Sequence, residues 1–530
     1  MATAHTRQTL SDRLGAIVGS GHVQDAVAER VFFSTDLAKR GATVQAVVRI
    51  ASTEELSRVM ALCGEEKLVV IPRGGGFSYT GGYMPVVDDS VMVDMRGLNR
   101  IIEINEEDMY VRVGAGCTWH DLYHALKARG LRTPYYGPMS GFHATVGGAL
   151  SQGSFFLGST EYGTTADTVL SLEVVLANGD VIHTGSDSGG AAVGPFYRTY
   201  GPDLTGLFLA DTGAMGFKTV ATLKLIKTPP AQAYGSFSFD SGLDALAALS
   251  DIARAGLAAE AYAWDPYFVA VMSAASLGTG QDLKFLWGVV RNGAGIIDGV
   301  SAGIRIALSG KRVFKPGTHI VQVMIDDHSP AGAAECLKQV RAIARAHKAF
   351  ELAPSVPRAL RGTPFVDFNV PERRTRLRNL PTNSLYPHSR AKPALTAIRA
   401  LFAAEAAEME RHGLVVGVVY FAVGKNAMCI EPLFYWNDDE HYLHDRINQT
   451  SDLDALERYP DRPEATSYAL ALREKLKAVM KANGAAHVQI GKSYDYLPTR
   501  EPRIAALVKA IKAELDPDMR VNPGSLGLGR

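Results

Sequence analysis

"IPRGGGFSYTGG", Ile71 to Gly82, holds five glycines in twelve residues. Without a Cβ, successive backbone N–H groups can turn into one concavity and approach a ligand closely. Anions, above all phosphates, are what such nests hold. The loop follows "LVVIP", an apolar run that reads as a short buried strand. Before it, Leu56, Val59, Met60 and Cys63 recur at helical spacing, and Ser52 with Glu55 has the spacing of a capping box. A dinucleotide-binding GxGxxG would open a helix, whereas these glycines lead into another extended segment, "YMPVVDDSVMVDM". No GxxxxGK[ST] string surrounds Gly74, so a Walker loop is excluded. Composition alone also fits a surface glycine loop without a ligand. A second cluster tilts the balance: "PMSGFHATVGGALSQGSFFLGSTEYG", residues 138–163. Two glycine- and serine-rich loops on neighbouring strands would grip one pyrophosphate from two sides.

At 530 residues the chain is too long for one ordinary core and predicts two or three domains. Hydrophobic residues make up 47% and charged residues 21%, the profile of a soluble globular protein. Lys+Arg and Asp+Glu balance at 55 each, so no global field recruits nucleic acid or anionic lipid. Cys63, Cys117, Cys336 and Cys429 show no CxxC spacing, which argues against zinc ribbons and disulfide frameworks and predicts no metal site. The first residues, "MATAHTRQTLSDRLGAIVG", lack the apolar core of a signal peptide. The most apolar region, Phe285 to Leu308, is broken by Arg291, Asn292, Asp298 and Arg305. It reads as a buried or oligomer-facing helix rather than a membrane span. A cytoplasmic enzyme is the expectation.

Further along, "VMVDM" and "YVRVGAG" read as strands, and "TWHDLYHALKARG" as a helix with Thr118 as N-cap and Gly130 past its end. "LEVVLANGDVIHTG" reads as a hairpin turning on Asn178-Gly179. The texture changes at Pro229-Pro230, where alanine-rich helices and long strands such as "LVVGVVYFAVG" take over. The fold class is α+β. The expected domains are 1–230 for the cofactor, 231–485 as a cap over it, and 486–530 as a segment returning to the first.

In their order, "IPRGGGFSYTGG", "VMVDMRGLNRIIEIN", "VRVGAGCTWHDLYHALKARGL", "TVGGALSQG", "LEVVLANGD", "YGPDLTGLF" and the terminal "NPG" resemble the vanillyl-alcohol oxidase/p-cresol methylhydroxylase flavoproteins. The resemblance implies FAD, with its adenine and pyrophosphate in a two-part N-terminal domain. Its isoalloxazine ring would lie under an α+β cap built on an antiparallel sheet. The pyrophosphate loop then falls on Arg73, Gly74, Gly75, Gly76, Phe77, Ser78 and Tyr79. The second grip falls on Pro138, Ser140, Gly147, Gly148, Ser151 and Gly153, with Gly216 and Phe217 on the adenine side and Asn522 in the closing "NPG". Several relatives attach the flavin to a histidine after the loop's glycines, where this chain has Phe77. A His-His pair in the family's cap falls here on Cys429 and Ile430. Ile430 cannot attach a flavin and Cys429 is the remaining candidate, so the expectation is FAD held without a covalent bond.

Members of the family pass a hydride or its equivalent to flavin N5 from a carbon bearing oxygen or an aromatic group. Phenol-oxidising members clamp a phenolate with two tyrosines and an arginine, and keep an aspartate by the flavin. Tyr79 matches the first tyrosine, but the aspartate falls near Met139 and the Tyr-Arg pair near His487–Gln489, so the chain departs from that pattern. "HVQIGKSYDYLP" also resembles a stretch of flavin-dependent D-lactate and 2-hydroxy-acid dehydrogenases, in which a histidine lies by the substrate carbon. Their histidine-rich metal stretch is absent, and "GLVVGVVYFAVGKN" occupies the comparable place. The expected activity is an FAD-dependent oxidation of an aryl or phenylpropanoid alcohol. A D-2-hydroxy-acid dehydrogenase is the alternative, and a non-redox lyase using the flavin as scaffold is the third reading. His487 is the expected base, Tyr79 the contact to the substrate oxygen, and Tyr435, Tyr494 and Arg390 the pocket. Arg390 would meet a substrate carboxylate, and Glu431 is expected to face the substrate cavity. Oxygen, a cytochrome and a quinone all stay open as electron acceptor, and the resemblance implies a homodimer or higher homo-oligomer.

Overall fold

The computed structural model describes residues 8–269, 317–365, 377–438 and 462–529. The apolar stretch 285–308 lies outside them. Strands β1 (Val23–Gln24), β2 (Ala46–Arg49), β3 (Val69–Arg73) and β4 (Ser90–Asp94) form one sheet in the order β1-β2-β4-β3, the last three parallel. The crossover from β2 to β3 is the helix Thr53–Glu65, whose Leu56, Val59, Met60 and Cys63 are fully buried. Ser52 caps it by accepting the Glu55 N–H, while the Glu55 carboxylate accepts the N–H of Ala51 at 2.6 Å. The box is therefore displaced by one residue.

A second, antiparallel sheet follows the order β5-β6-β10-β8-β9. Its strands are β5 (Ile101–Asn105), β6 (Tyr110–Gly114), β8 (Val169–Val175), β9 (Val181–His183) and β10 (Phe217–Lys224), while β7 (Leu131–Arg132) pairs with β11 (Ile226–Lys227) beside them. The β8–β9 hairpin turns at Asn178-Gly179, with Gly179 at φ 91°, the left-handed conformation glycine tolerates. Helix Trp119–Lys127 starts where its N-cap predicts, with Thr118 accepting the Asp121 N–H at 3.1 Å. The second glycine cluster differs from expectation. Thr145 accepts the Gly148 N–H and starts the helix Val146–Gln152, so Gly147 and Gly148 lie in a first helical turn rather than in a loop between strands. The hydroxyl cap outweighs the weak helix propensity of the glycines.

The remaining described strands build one antiparallel sheet, β15-β12-β14-β13-β18-β19-β16, with β17 also paired to β19. They are β12 (Ala231–Phe239), β13 (Glu260–Trp264), β14 (His319–Asp327), β15 (Phe350–Leu352), β16 (Leu377–Pro381), β17 (Ser384–Pro387), β18 (Val415–Val423) and β19 (Ala427–Asn437). Side chains alternate across a strand, and β19 uses both faces. Met428, Ile430, Phe434 and Trp436 pack with Leu249 and Ile252 of helix Gly242–Ala255 and with Leu472 and Leu476 of helix Pro463–Ala482. Leu433 and Tyr435 instead join the core that holds Trp119, Val146 and Leu172 of the N-terminal part. Cys429 and Glu431 share their parity. The antiparallel sheet therefore has one face under helices and one face on the second sheet and the helices beside it, an α+β architecture of two packed parts.

Two buried polar devices pin these parts. Asp326 accepts from Arg132 and from Arg361, both at 2.9 Å, and Arg361 also donates to the Tyr136 hydroxyl at 2.6 Å. The chain's last stretch comes back to β3. Val70 donates to the Arg520 carbonyl at 2.8 Å, and Asn522 donates to the Val70 carbonyl at 2.9 Å. Lys512 fixes that return, paired with Asp516 at 2.5 Å and donating to the carbonyls of Ala214 and Val521. Among the described residues no helix is long and apolar enough to cross a membrane, and no group of three His, Cys, Asp or Glu side chains could hold a metal.

Breaking a buried ion pair leaves one charge uncompensated, at a cost of about 3–5 kcal/mol. Lys512→Met is expected to lower the urea midpoint accordingly without changing the slope of the transition. An unchanged midpoint would show that the C-terminal return contributes nothing to stability.

Candidate functional site

β3 delivers the chain into the glycine loop, and the loop's packing explains its glycines. A Cβ on Gly74 would lie 2.3 Å from Thr145 Oγ1, and one on Gly75 would lie 2.0 Å from the His143 carbonyl oxygen. Gly76 takes φ 79° above the Arg73 guanidinium. The two glycine clusters of the sequence thus touch each other, backbone on backbone. The amides of Gly74, Gly75 and Gly76 find no acceptor among the described residues. Gly76 is buried and Gly74 and Gly75 are half-buried. Backbone donors shielded from bulk water are nearly always paired, so three in a row mark a place for an outside acceptor.

Gly74 to Tyr79 line a cavity of about 280 Å³. Pro138, Ser140, Gly147, Gly148 and Ser151 of the second cluster line it too, as do Gly216 and Phe217. The larger sheet contributes Asn379, Pro381, Asn383, Glu431 and Leu433. Three residues expected at the site stand behind its wall instead. Arg73 is buried against the rings of Phe33 and Tyr83 at 4.6 and 5.1 Å, and its Nε and Nη1 have no hydrogen-bond partner among the described residues. Gly153, at φ 66°, ends helix Val146–Gln152. Asn522 ties the loop to the C-terminal return, donating to the carbonyls of Gly82 and Thr212 at 2.8 and 2.7 Å and accepting from Lys492 at 2.9 Å.

The side chains expected to do chemistry separate into two sets. Glu431 lines the cavity without a hydrogen bond or ion pair to any described residue, and burial pushes its carboxyl up to about 7. Tyr79 lines it as well, and burial raises its phenol far above the ordinary range. Tyr435 is buried beside them, stacked on Tyr267 with ring centres 5.5 Å apart, its hydroxyl without a partner among the described residues. His487 and Tyr494 lie outside the lining, stacked on each other at 4.1 Å, and burial lowers the imidazole pKa. They hold a residue that does line it. Tyr494 accepts the Asn383 N–H at 2.9 Å, and His487 Nδ1–H donates to the Asn383 carbonyl at 2.8 Å. Arg390 is exposed on helix His388–Ala404, with its guanidinium beside Gly484 rather than at the cavity. Sequence reasoning missed Asn379 and Asn383, amides that line the cavity from segments with no local motif, and gave no role to Gln152 and Gln489, which line it from within the quoted motifs.

Residues 44–185 match the family of FAD binding domains. The chain is similar to glycolate oxidase subunit GlcD of Bacillus subtilis, 33% identical over 221 residues, which are 42% of this chain and 45% of that protein. It is 29% identical over 208 residues to the mitochondrial D-lactate dehydrogenase [cytochrome] 1 of Saccharomyces cerevisiae, covering 39% of this chain and 34% of that one. The matched stretch spans less than half the length of either relative. By fold, the chain is similar to p-cresol methylhydroxylase with substrate bound, at TM-score 0.71 and 18% identity over 98% of this chain and 96% of the other. It therefore carries an FAD-binding domain within the p-cresol methylhydroxylase type of α+β fold, and FAD is its cofactor.

The site's own donor set fits that cofactor. A pyrophosphate needs N–H donors, positive charge and no competing carboxylate. The three amides and the Arg73 guanidinium behind them, whose Nε and Nη1 have no hydrogen-bond partner among the described residues, meet the first two needs, and no acidic side chain of 71–82 competes for them.

Gly75→Ala tests the cradle. Its Cβ would fall on a backbone oxygen, which cannot swing away, so overpacking of about 1–3 kcal/mol is expected. FAD should be lost on dialysis and its affinity should fall about tenfold or more, read by flavin absorbance. Gly148→Ala meets only Thr145 Oγ1 at 3.0 Å and should keep most of its FAD.

Proposed function

We propose that the chain is an FAD-dependent oxidoreductase that oxidises a neutral alcohol, of aryl or phenylpropanoid type, with Glu431 as proton acceptor. The observation that carries this reading is Glu431 itself: a carboxyl opening on the cavity, with no protein partner, held near a pKa of about 7 by burial. A general base works best when its pKa lies near the operating pH. FAD supplies the acceptor for the hydride leaving the substrate carbon, at its N5. The chain's residues do the rest. Glu431 takes the hydroxyl proton, Asn379 and Asn383 offer amide groups to orient the oxygen, and Tyr79 and Leu433 give the pocket an aromatic and an aliphatic wall. His487 serves as a positioning residue through Asn383.

Two further features support the neutral substrate and a dissociable flavin. Among the described lining residues Lys218 is the one cation, and it is paired with Asp211 at 2.8 Å. A substrate carboxylate would therefore meet Glu431 without a countercharge. No histidine or cysteine lines the cavity among the described residues, and Cys429 packs with Phe155 and Val423. We therefore hold the FAD to be non-covalent, so that acid precipitation should leave the yellow colour in the supernatant. The second reading, a D-2-hydroxy-acid dehydrogenase, rests on the names of the two curated relatives.

Anaerobic mixing with a panel of neutral aryl alcohols and 2-hydroxy acids separates the readings. Bleaching of the flavin by the alcohols supports the first, and bleaching by the acids alone would replace it with the second. Turnover without bleaching would favour a lyase.

Glu431→Gln should cut the rate of flavin reduction by about 10²–10⁴. In the parent protein that rate should rise with pH through about 7 as the carboxylate forms, and the variant should lose the rise. Stability gives an independent reading on FAD-free protein. The unfolded carboxyl ionises near 4.5 and the folded one near 7, so the unfolded state binds fewer protons between those values and stability falls across them. Glu431→Gln should remove a fall of at most about 3 kcal/mol, measured as urea midpoints at the two ends of the window.

A further inference from the structure

A second cavity, of about 580 Å³, lies where helix Pro463–Ala482 meets the C-terminal return. It shares no lining residue with the flavin cavity. Four cations line it: Lys39, Arg473, Lys477 and Lys492. Two acids line it as well, Glu474 and Asp495, and both side chains are largely exposed, at 67% and 64%.

Three of the four cations, Lys39, Arg473 and Lys492, form no ion pair among the described residues. Arg473 is only 4% exposed, and its Nε and Nη2 have no hydrogen-bond partner among the described residues. Its Nη1 donates at 3.4 Å to the Tyr79 carbonyl, a neutral group. Asp36 lies near enough to feel the charge of Arg473, but spends its oxygens on the amides of Ala38, Lys39 and Gly81. Lys492 donates to two neutral oxygens, Met84 O and Asn522 Oδ1. Lys477 is paired, at 2.7 Å, with the exposed Glu474. A buried guanidinium with two idle nitrogens is costly unless something accepts from it. Its planar fork suits a tetrahedral or planar oxyanion.

We propose that this cavity binds a phosphate group, free or carried on a small metabolite, with Arg473 as its central donor and Lys39, Lys477 and Lys492 around it. The lining keeps an excess of positive charge over the exposed Glu474 and Asp495, although burial lowers Lys492 to about 7, and a bound dianion would gain from that excess and favour the charged amine. The site is separate from the flavin's pyrophosphate cradle, which the cofactor occupies in the loaded protein.

The test uses the full chain saturated with FAD, so that the cradle cannot report. Inorganic phosphate is titrated by calorimetry in a buffer free of phosphate, with acetate as the comparison anion and glycerol 3-phosphate as a carried phosphate. One saturable phosphate site is expected, with acetate weaker by about tenfold or more. Arg473→Gln should weaken phosphate by about tenfold or more at unchanged FAD content. Should that variant fail to fold, the double substitution Lys39→Gln/Lys477→Gln, on the cavity's outer side chains, decides by the same loss. Absence of phosphate binding, equal affinity for acetate, or unchanged affinity in the folded variants would each overturn the proposal. Binding of glycerol 3-phosphate more tightly than phosphate would assign the site to a carried phosphate, and equal binding to the free ion. None of these readings uses turnover, so the site stands or falls apart from the proposed oxidation.

Discussion

The approach of one backbone to another, Gly75 to the carbonyl of His143, is the constraint on which the cofactor site depends. At 2.0 Å from that oxygen no Cβ fits, so Gly75 must be glycine for residues 143–145 to lie against the 74–76 turn. The amides of Gly74, Gly75 and Gly76 have no acceptor among the described residues, so the packing requirement also presents a donor array. Arg73 completes it from behind. Its charge sits on the aromatic faces of Phe33 and Tyr83 and not on a carboxylate, so its field is left for whatever occupies the cradle.

The second requirement is that the cavity-lining face of the larger sheet meet this cradle in register. β19 settles this through its alternation. Its helix-facing residues are large and apolar, Ile430, Phe434 and Trp436, and a one-residue slip would drive Glu431 into that layer. The pairing of Glu431 with Val419 in the nine-residue partner strand β18 fixes the register. Arg132, Asp326 and Arg361 then hold the two parts together by charges that would be uncompensated if the seam opened.

What could be read from the chain itself follows the range of the physics involved. The glycine loop, the helix behind Ser52, the Thr118 cap and the Asn178-Gly179 hairpin are each decided by neighbours within a few residues, and each stands where the sequence places it. The Val146–Gln152 helix was hidden because its glycines argue for a loop, while a single threonine hydroxyl argues for a cap. Asn379 and Asn383 were invisible for a different reason. They reach the cavity through β16 and β17 pairing with β19 and through the grip of His487 and Tyr494 from over a hundred residues away. No local pattern encodes such an approach. Arg390 shows the converse error, since a cation next to His388 in "LYPHSRAKP" suggests a site, whereas the helix they start carries Arg390 to the surface.

Two carboxyls in the larger sheet region, the buried Asp265 and the half-buried Glu431, are both pushed up to about 7 by loss of water, and their partners separate structure from chemistry. Asp265 accepts the amides of Phe268 at 3.1 Å and Val418 at 2.9 Å, bonds that tie the end of β13 to the strand beside it. Its oxygens are occupied, and its burial serves the fold. Glu431 is desolvated to a similar degree and accepts nothing from the described residues. A folded chain has no structural use for an acid placed so, because an aliphatic residue would fill the strand position without the penalty of burying an ionisable group. The cost of keeping it there is recovered only when a proton has somewhere to go. That asymmetry, more than the pKa itself, marks Glu431 as the group about which the cavity is organised.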